Sequence, residues 1–236
     1  MYNFLKDFSE EDIIYSMYGL LLGDGHYLNG RIRIEHTENQ KTYCLWLEEL
    51  FAMNNINVSS RYNYMKNTTF GVKSYNYISL KVTNRQMFEK YFFNSSNKKI
   101  ISDFVLKSIN ELGLLFWFLD DGYLHVSVKN NASKRFAYLN TQSFSLDENK
   151  KIVEMFKTRF DIELKIHKDS SGFEKYKDKT YYRLYFNATN FRKFFDVVRP
   201  YLQYIPKDFY YKFNMKYYPN RIKTSKIFAE KYNLIA

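Results

Sequence analysis

Two acid–glycine pairs carry the candidate chemistry: Asp24-Gly25 in "YGLLLGDGHY" and Asp121-Gly122 in "LLFWFLDDGY", 97 residues apart. Each closes a strongly apolar run that reads as a helix. Each aspartate therefore sits at the negative end of a helix dipole, where stability alone selects a cation. A single acid there could be an ordinary turn ending a core helix. A matched pair needs another reason. Apolar helices of this kind bury their faces on one another, which brings Asp24 and Asp121 together near a pseudo-twofold axis. Close, desolvated carboxylates repel, and a divalent cation is the simplest remedy. Aspartate with backbone carbonyls and water suits Mg²⁺, and paired metals are a recurring device for in-line phosphodiester cleavage. Glycines beside the acids let a phosphate backbone come close.

Around these acids the chain reads as two copies of one unit. Ser9 opens the first helix, with acids in its first turn and Asp12 three residues past the cap. After "IIYSMYGLLLG" come a short strand "GHYL", a turn at Asn29-Gly30, and a strand "RIRIEHTE". "QKTYCLWLEELFAMN" predicts a helix, "NVSSRYNYM" and "YNYISLKVT" two strands, "NRQMFEKYFF" a helix and "NSSNKKIISD" a loop. The order then begins again with helix "NELGLLFWFLDDG" and strands "YLHVSVK" and "RFAYLNTQSF". A helix capped by Ser145 and Glu148, strands "IELKIHKD" and "TYYRLYFN", and helix "NFRKFFDVVR" complete it. Each half reads αββαββα, an α+β fold. An N-terminal unit of residues 1–105 and a C-terminal unit of 106–236 with a basic tail are expected.

With 236 residues and 45% of them hydrophobic, the chain can bury a sizeable core. Its 23 Tyr and 22 Phe, beside abundant Asn, Lys and Ile, carry the mark of AT-rich coding and do not by themselves indicate function. The net charge of +11 points to a polyanionic partner, nucleic acid first and an anionic membrane second. It is uneven: residues 111–236 hold 23 Lys/Arg against 14 Asp/Glu, and residues 1–110 hold 13 against 11. Cys44, the single cysteine, excludes an internal disulfide and a multi-cysteine zinc site, and its helical setting makes it a core residue. No apolar run reaches the length of about 18 residues that a membrane span needs. The N-terminus has neither a signal-peptide nor a transit-peptide pattern. A soluble protein of a reducing intracellular compartment is expected, organelle-encoded or from an AT-rich bacterial or phage genome.

The two motifs stand as Met17-Tyr18-Gly19-Leu20-Leu21-Leu22-Gly23-Asp24-Gly25 and Leu114-Leu115-Phe116-Trp117-Phe118-Leu119-Asp120-Asp121-Gly122. With "YCLWL", "NKKIIS", "LNTQSF" and "PYLQYIP", they make the chain resemble the LAGLIDADG homing endonucleases, in the double-motif monomeric branch close to the omega-intron type. The resemblance runs from near Asp12 to near Met215. It implies a monomer with pseudo-twofold symmetry, a saddle of two antiparallel sheets with the motif helices packed at its centre. Such a saddle grips roughly 18–20 base pairs of double-stranded DNA in the major groove. Cleavage of both strands with short 3′ overhangs is implied, using two or three Mg²⁺ ions shared between the carboxylates, with Mn²⁺ as a substitute. An intron RNA maturase on the same scaffold, or a DNA-binding protein that no longer cleaves, are the alternatives. Phe116 departs from the pattern, because a small residue commonly stands at that third position and permits close helix packing.

Residue by residue, the resemblance makes Asp24 and Asp121 the metal-binding acids. Gly23 and Asp120 contribute backbone carbonyls to the metals. Lys99 and Lys212 organise water or stabilise phosphate charge, with Lys207 as the substitute for Lys212. Glu35 and Gln142 take matched strand positions near the water network. Strand alternation, with Ile32 and Ile34 buried, puts Arg31 and Arg33 on a DNA-facing side, and by the same reasoning Arg61, Lys81, Lys165, His167, Arg183 and Tyr185. Lys98 and the tail lysine Lys223 are expected on phosphates, as residues 197–236 hold 8 Lys/Arg against 2 Asp/Glu.

Overall fold

Helix α1 (Glu10–Leu22) starts where Ser9 accepts the Asp12 amide through its hydroxyl and the Asp12 carboxylate accepts the Ser9 amide in return. In this computed structural model, residues 8–68, 71–129, 132–169, 180–214, 226 and 228–232 are described. After α1 come β1 (His26–Leu28) and β2 (Arg31–Thr37), joined at Asn29 and Gly30, whose φ angles of 53° and 74° make the tight turn that Asn-Gly favours. Helix α2 (Lys41–Met53), strands β3 (Val58–Thr68) and β4 (Gly71–Lys81), helix α3 (Arg85–Phe92) and the short α4 (Asp103–Ser108) complete the first half. The second half runs α5 (Glu111–Asp121), β5 (Gly122–Lys129), β6 (Ala132–Leu139), α6 (Leu146–Phe160), β7 (Lys165–Asp169), β8 (Tyr181–Asn187) and α7 (Ala188–Val198). Ser145 and Glu148 cap α6 in the same reciprocal way as Ser9 and Asp12 cap α1.

Each half folds one antiparallel four-stranded sheet, in the order β1-β2-β4-β3 and β5-β6-β8-β7. The expected α+β architecture of two antiparallel sheets plus helices is what the chain adopts. One face of each sheet is covered by helices and buries Ile32, Ile34, Ile78 and Leu80 in the first half, and Ala137, Leu139, Leu184 and Phe186 in the second. Cys44 is buried in this core, as expected. No helix among the described residues is long and apolar enough to cross a membrane.

α1 and α5 are apolar nearly all round because both lie between the two halves: Met17–Leu22 and Leu112–Leu119 are buried throughout. Glycines set their separation. A Cβ on Gly19 would lie 2.2 Å from the Gly113 carbonyl oxygen, and a Cβ on Gly113 would lie 2.8 Å from the Tyr15 carbonyl oxygen. The close approach that Phe116 seemed to forbid is thus supplied one turn earlier by Gly113. Phe116 instead stacks on Trp46 of α2, with centroids 5.3 Å apart, and so ties the second motif helix into the first half. The Trp46 indole donates to the Tyr204 carbonyl at 2.7 Å, a second tie between the halves.

Three expectations need correction. Residues 103–108 form a helix, capped by the Ser102 hydroxyl, where only a loop was expected at its start. Strand β6 ends at Leu139, opposite Gly122, so "NTQSF" is not strand. Gln142 consequently lies in the turn before α6 and does not occupy a strand position matching Glu35. The physical reason is polar: Thr141 donates to the buried Asn149 side chain, and Asn149 donates to the carbonyls of Phe144 and Ser145, which closes the turn. Lys223 falls outside the described residues.

Alanine is the better helix former by about 1 kcal/mol, yet Gly19→Ala pushes a methyl into backbone. Urea unfolding should show a loss of about 2 kcal/mol or more, and a neutral or stabilising result would refute the glycine-set helix spacing.

Candidate functional site

The site grows out of the ends of the two motif helices. Gly23 keeps its N–H on Gly19 (3.0 Å) but takes a ψ of −132°, which turns the chain out of α1 and lifts Asp24 to a half-exposed position. A Cβ on Gly23 would meet the Asp120 Cβ at 2.6 Å, so glycine is needed for the two helix ends to touch. The Asp24 amide donates to Asp120 Oδ2 at 3.3 Å, and the Tyr43 hydroxyl donates to Asp120 Oδ1 at 2.8 Å. His36 reaches the same place from β2, with Nδ1 3.8 Å from Asp24 Oδ2. One ligand atom from each of Asp24, His36 and Asp120 lies within 4.8 Å of the others.

Burial governs the electrostatics here. It lifts the Asp120 carboxyl well above the usual carboxylate range, and the Asp24 charge lifts it further. Asp121 is pushed up to about 7 by burial and then by Asp24, with Lys99 opposing. Burial, helped by Lys212 and opposed by Asp24, lowers the His36 pKa, which favours the neutral imidazole that can ligate a metal. The cluster thus holds more carboxylates than its surroundings let ionise freely.

Two lysines close the helix ends. Lys99 Nζ donates to the carbonyls of Gly23 (3.1 Å) and Gly25 (3.0 Å). Lys212 Nζ donates to Gly122 (3.0 Å) and to Leu119 and Phe118. An ammonium at a helix C-terminus faces the negative end of the dipole. Gly122 is the counterpart of Gly25 at the 97-residue offset, so Lys212 holds the place in the second half that Lys99 holds in the first. Lys207 is exposed, at the opening of the 3-10 turn Lys207–Lys212. A bridge between Phe93 and Lys99, with a turn closed on the Asn94 side chain, aims Lys99 inward and leaves Lys98 exposed.

Glu35 is not among these groups. It points to the other face of β2, where it accepts from Tyr64 and Lys66. Sequence reasoning missed His36, Tyr43 and the Asp120 side chain. A signal for the first was present: His36 shares its strand parity with buried Ile32 and Ile34, so it had to point inward.

On the uncovered face of the first sheet, cross-strand rows join Arg31 to Lys81, Arg33 to Ser79 and Ser59, and Glu35 to Tyr77 and Arg61. Arg31 is tied within that face, its guanidinium donating to the Ser79 hydroxyl and carbonyl (both 2.6 Å) and to Asn57 Oδ1 (3.0 Å). On the second sheet Lys165 lies beside Tyr185, and His167 beside Arg183. Both sheets thus present the residues that strand alternation assigned to this side.

Comparison with known proteins decides the family. The model of the LAGLIDADG DNA endonuclease family matches residues 14–194. The chain belongs to that family. This LAGLIDADG protein is 31% identical over 135 residues to "Probable intron-encoded DNA endonuclease 3" of Mycosarcoma maydis, a match covering 56% of this chain and 88% of the relative. It is 26% identical over 199 residues to "Probable intron-encoded endonuclease 1" of Wickerhamomyces canadensis, covering 79% and 80%. Among solved structures it resembles the homing endonuclease I-WcaI bound to its DNA recognition sequence, with a TM-score of 0.67, 20% identity, and 91% and 92% of the two chains covered. At that identity the likeness establishes the fold. Membership carries nuclease, hence hydrolase, activity, and LAGLIDADG endonucleases generally use divalent metals.

The raised Asp121 pKa sets a pH dependence for the metal-free protein. Folding holds on Asp121 a proton that the unfolded chain releases near pH 4. The associated stability is complete below about pH 4 and is lost as the pH rises through about 7. In EDTA the Tm should fall by ~5 °C between about pH 5 and 8, and Asp121→Asn should flatten the decline. An equal slope in that variant would assign the effect to other groups.

Proposed function

We propose that this protein is a site-specific, intron-homing endonuclease that makes a double-strand break with short 3′ overhangs in a long asymmetric DNA target. The observation that carries this reading is the pairing of two acid-bearing helix ends, each closed by a lysine, at the point where the strands of both sheets begin. Units 1–105 and 106–236 each supply one helix end and one sheet, and each sheet takes one half of the target.

The donor set fits a divalent cation. Asp24, His36 and Asp120 converge on one point, and Asp121, at the second helix end, lies near enough for the Asp24 charge to raise its pKa. Bound there, Mg²⁺ or Mn²⁺, as two or three ions, would supply an activated water and neutralise charge on the scissile phosphate. The chain's own groups prepare that place. Tyr43 and the Asp24 amide fix the Asp120 carboxylate. Lys99 and Lys212 hold the turns of Gly23–Gly25 and Leu119–Gly122 in register. Their ammonium charges also favour an approaching phosphate. Arg33, Arg61, Lys81, Lys98, Lys165 and Arg183 add attraction for the DNA backbone and base edges. The unlike faces of the two sheets suit a target without a dyad.

Selection of cleaved sequences from a randomised duplex library in Mg²⁺ tests the reading, and recovery of one long asymmetric site is expected. On that site Asp24→Asn or Asp121→Asn should reduce cleavage by at least ~10³-fold, while binding in Ca²⁺ changes by less than about tenfold. Mg²⁺-dependent cutting by the double variant at the parental rate would refute the assignment. Lys207→Ala should cut within about twofold of the parent and Lys212→Met at least ~10²-fold more slowly; the reverse order would exchange their roles.

A further inference from the structure

The uncovered faces of the two sheets are chemically unlike, and the difference lies in how closely rings pack on one another and how many charges stand among them. A row of four side chains crosses the second sheet from edge to edge: Tyr123, Tyr138, Tyr185 and Lys165. Beside it His125 stacks on Phe136, and His167 stacks on Tyr185, each with centroids 4.5 Å apart. The corresponding face of the first sheet carries Arg31, Arg33, Glu35, Arg61 and Lys81, and its rings are set among those charges: Arg61 lies 5.0 Å over Tyr64, Lys66 lies 5.5 Å over Tyr75, and the Tyr64 hydroxyl donates to Glu35. The rings of the second sheet are not core. The core side of the same strands is already filled by Ala137, Leu139, Leu184 and Phe186, while the rings stay partly exposed and Tyr123 is 49% exposed. A contiguous aromatic patch left in water marks a contact surface.

What the patch can contact follows from its geometry. Strand side chains stand nearly perpendicular to their sheet, so rings stacked side by side turn their edges outward and offer no open slot for a base to enter. Several of its polar atoms are engaged with one another. The Tyr138 hydroxyl meets His167 Nδ1 at 3.1 Å, His125 Nε2 meets the Ser127 hydroxyl at 3.0 Å, and the Arg183 guanidinium lies 3.9 Å over the Tyr138 ring. Burial and the charges of Arg183 and Lys165 lower the His167 pKa, which favours its neutral imidazole. In the major groove the base-edge feature that pairs with an apolar surface is the thymine 5-methyl group.

We propose that the second sheet reads its half of the DNA target through thymine methyls, with Phe136, Tyr138 and Tyr185 as specificity-determining residues, whereas the first sheet reads hydrogen-bonding base edges. This rests on the DNA-endonuclease reading above. Thymine-to-deoxyuridine replacement removes one methyl and leaves every hydrogen-bonding group in place. Scanned one position at a time across the selected site, with Kd measured in Ca²⁺, it should weaken binding about fourfold at each contacted methyl, with the sensitive positions confined to one half-site. Phe136→Ser and Tyr185→Ser should lower affinity for the thymine duplex and abolish the deoxyuridine penalty in that half alone. No penalty, a penalty spread over both halves, or one that survives both variants overturns the inference while leaving the endonuclease reading intact. The parental scan decides the matter even if a variant fails to fold. Failure to recover any bound or cut duplex overturns both.

Discussion

The distance between two helix backbones is the constraint on which the rest depends. Gly19 rests on the Gly113 carbonyl with no room for a Cβ, and Gly23 rests in the same way on Asp120. Contacts this close leave little freedom for one helix to slide or roll on the other, because protein interiors respond to added volume with strain. That is why Asp120 of one motif can accept a hydrogen bond from the backbone of the other, and why His36 and Tyr43, from different elements, meet the same carboxylates. Each sheet starts within a few residues of its helix end, so the helix spacing also sets where the two open faces begin.

Such closeness has an electrostatic cost. Three carboxylates crowd one place, two of them buried, and the pKa values show it: Asp120 and Asp121 both resist ionisation. The two lysines oppose this from the helix ends. Their protons go to helix-end carbonyls, and their charge acts on the acids over a longer range. Burial lowers the pKa of Lys99 while all three acids raise it again. The lysines thus offset the acids from the helix ends, and Asp24 keeps a half-exposed carboxylate open to a cation.

Much of the fold was legible because two periodicities are strong here: unbroken apolar runs in α1 and α5, and strict alternation in β2. The 97-residue repeat of Asp-Gly made the two helix ends readable as a pair. What escaped was decided by tertiary contact. Phe116 looked like a defect in a symmetric interface, but Gly113 provides the approach and frees Phe116 to stack on Trp46. Gln142 reads as strand by neighbourhood, yet the buried Thr141–Asn149 pair ends β6 first. Asp120 faces the other motif only because Gly23 lacks a side chain, a relation between residues 97 apart that no local pattern carries. The aromatic excess read as coding bias contains the ordered rows of the second sheet, and only register separates the two.

Lys212 caps a helix that ends at Asp121, 91 residues before it. Tyr204, which accepts from Trp46 of the first half, likewise comes long after its partner. During synthesis the first half can complete its sheet while α5 emerges, but the C-terminal end of α5 lacks its cation until residue 212 leaves the ribosome. Assembly of the second helix end is therefore tied to translation of the second half through residue 212. A product that stops between residues 122 and 211 carries both aspartates without the cation that closes the second helix end.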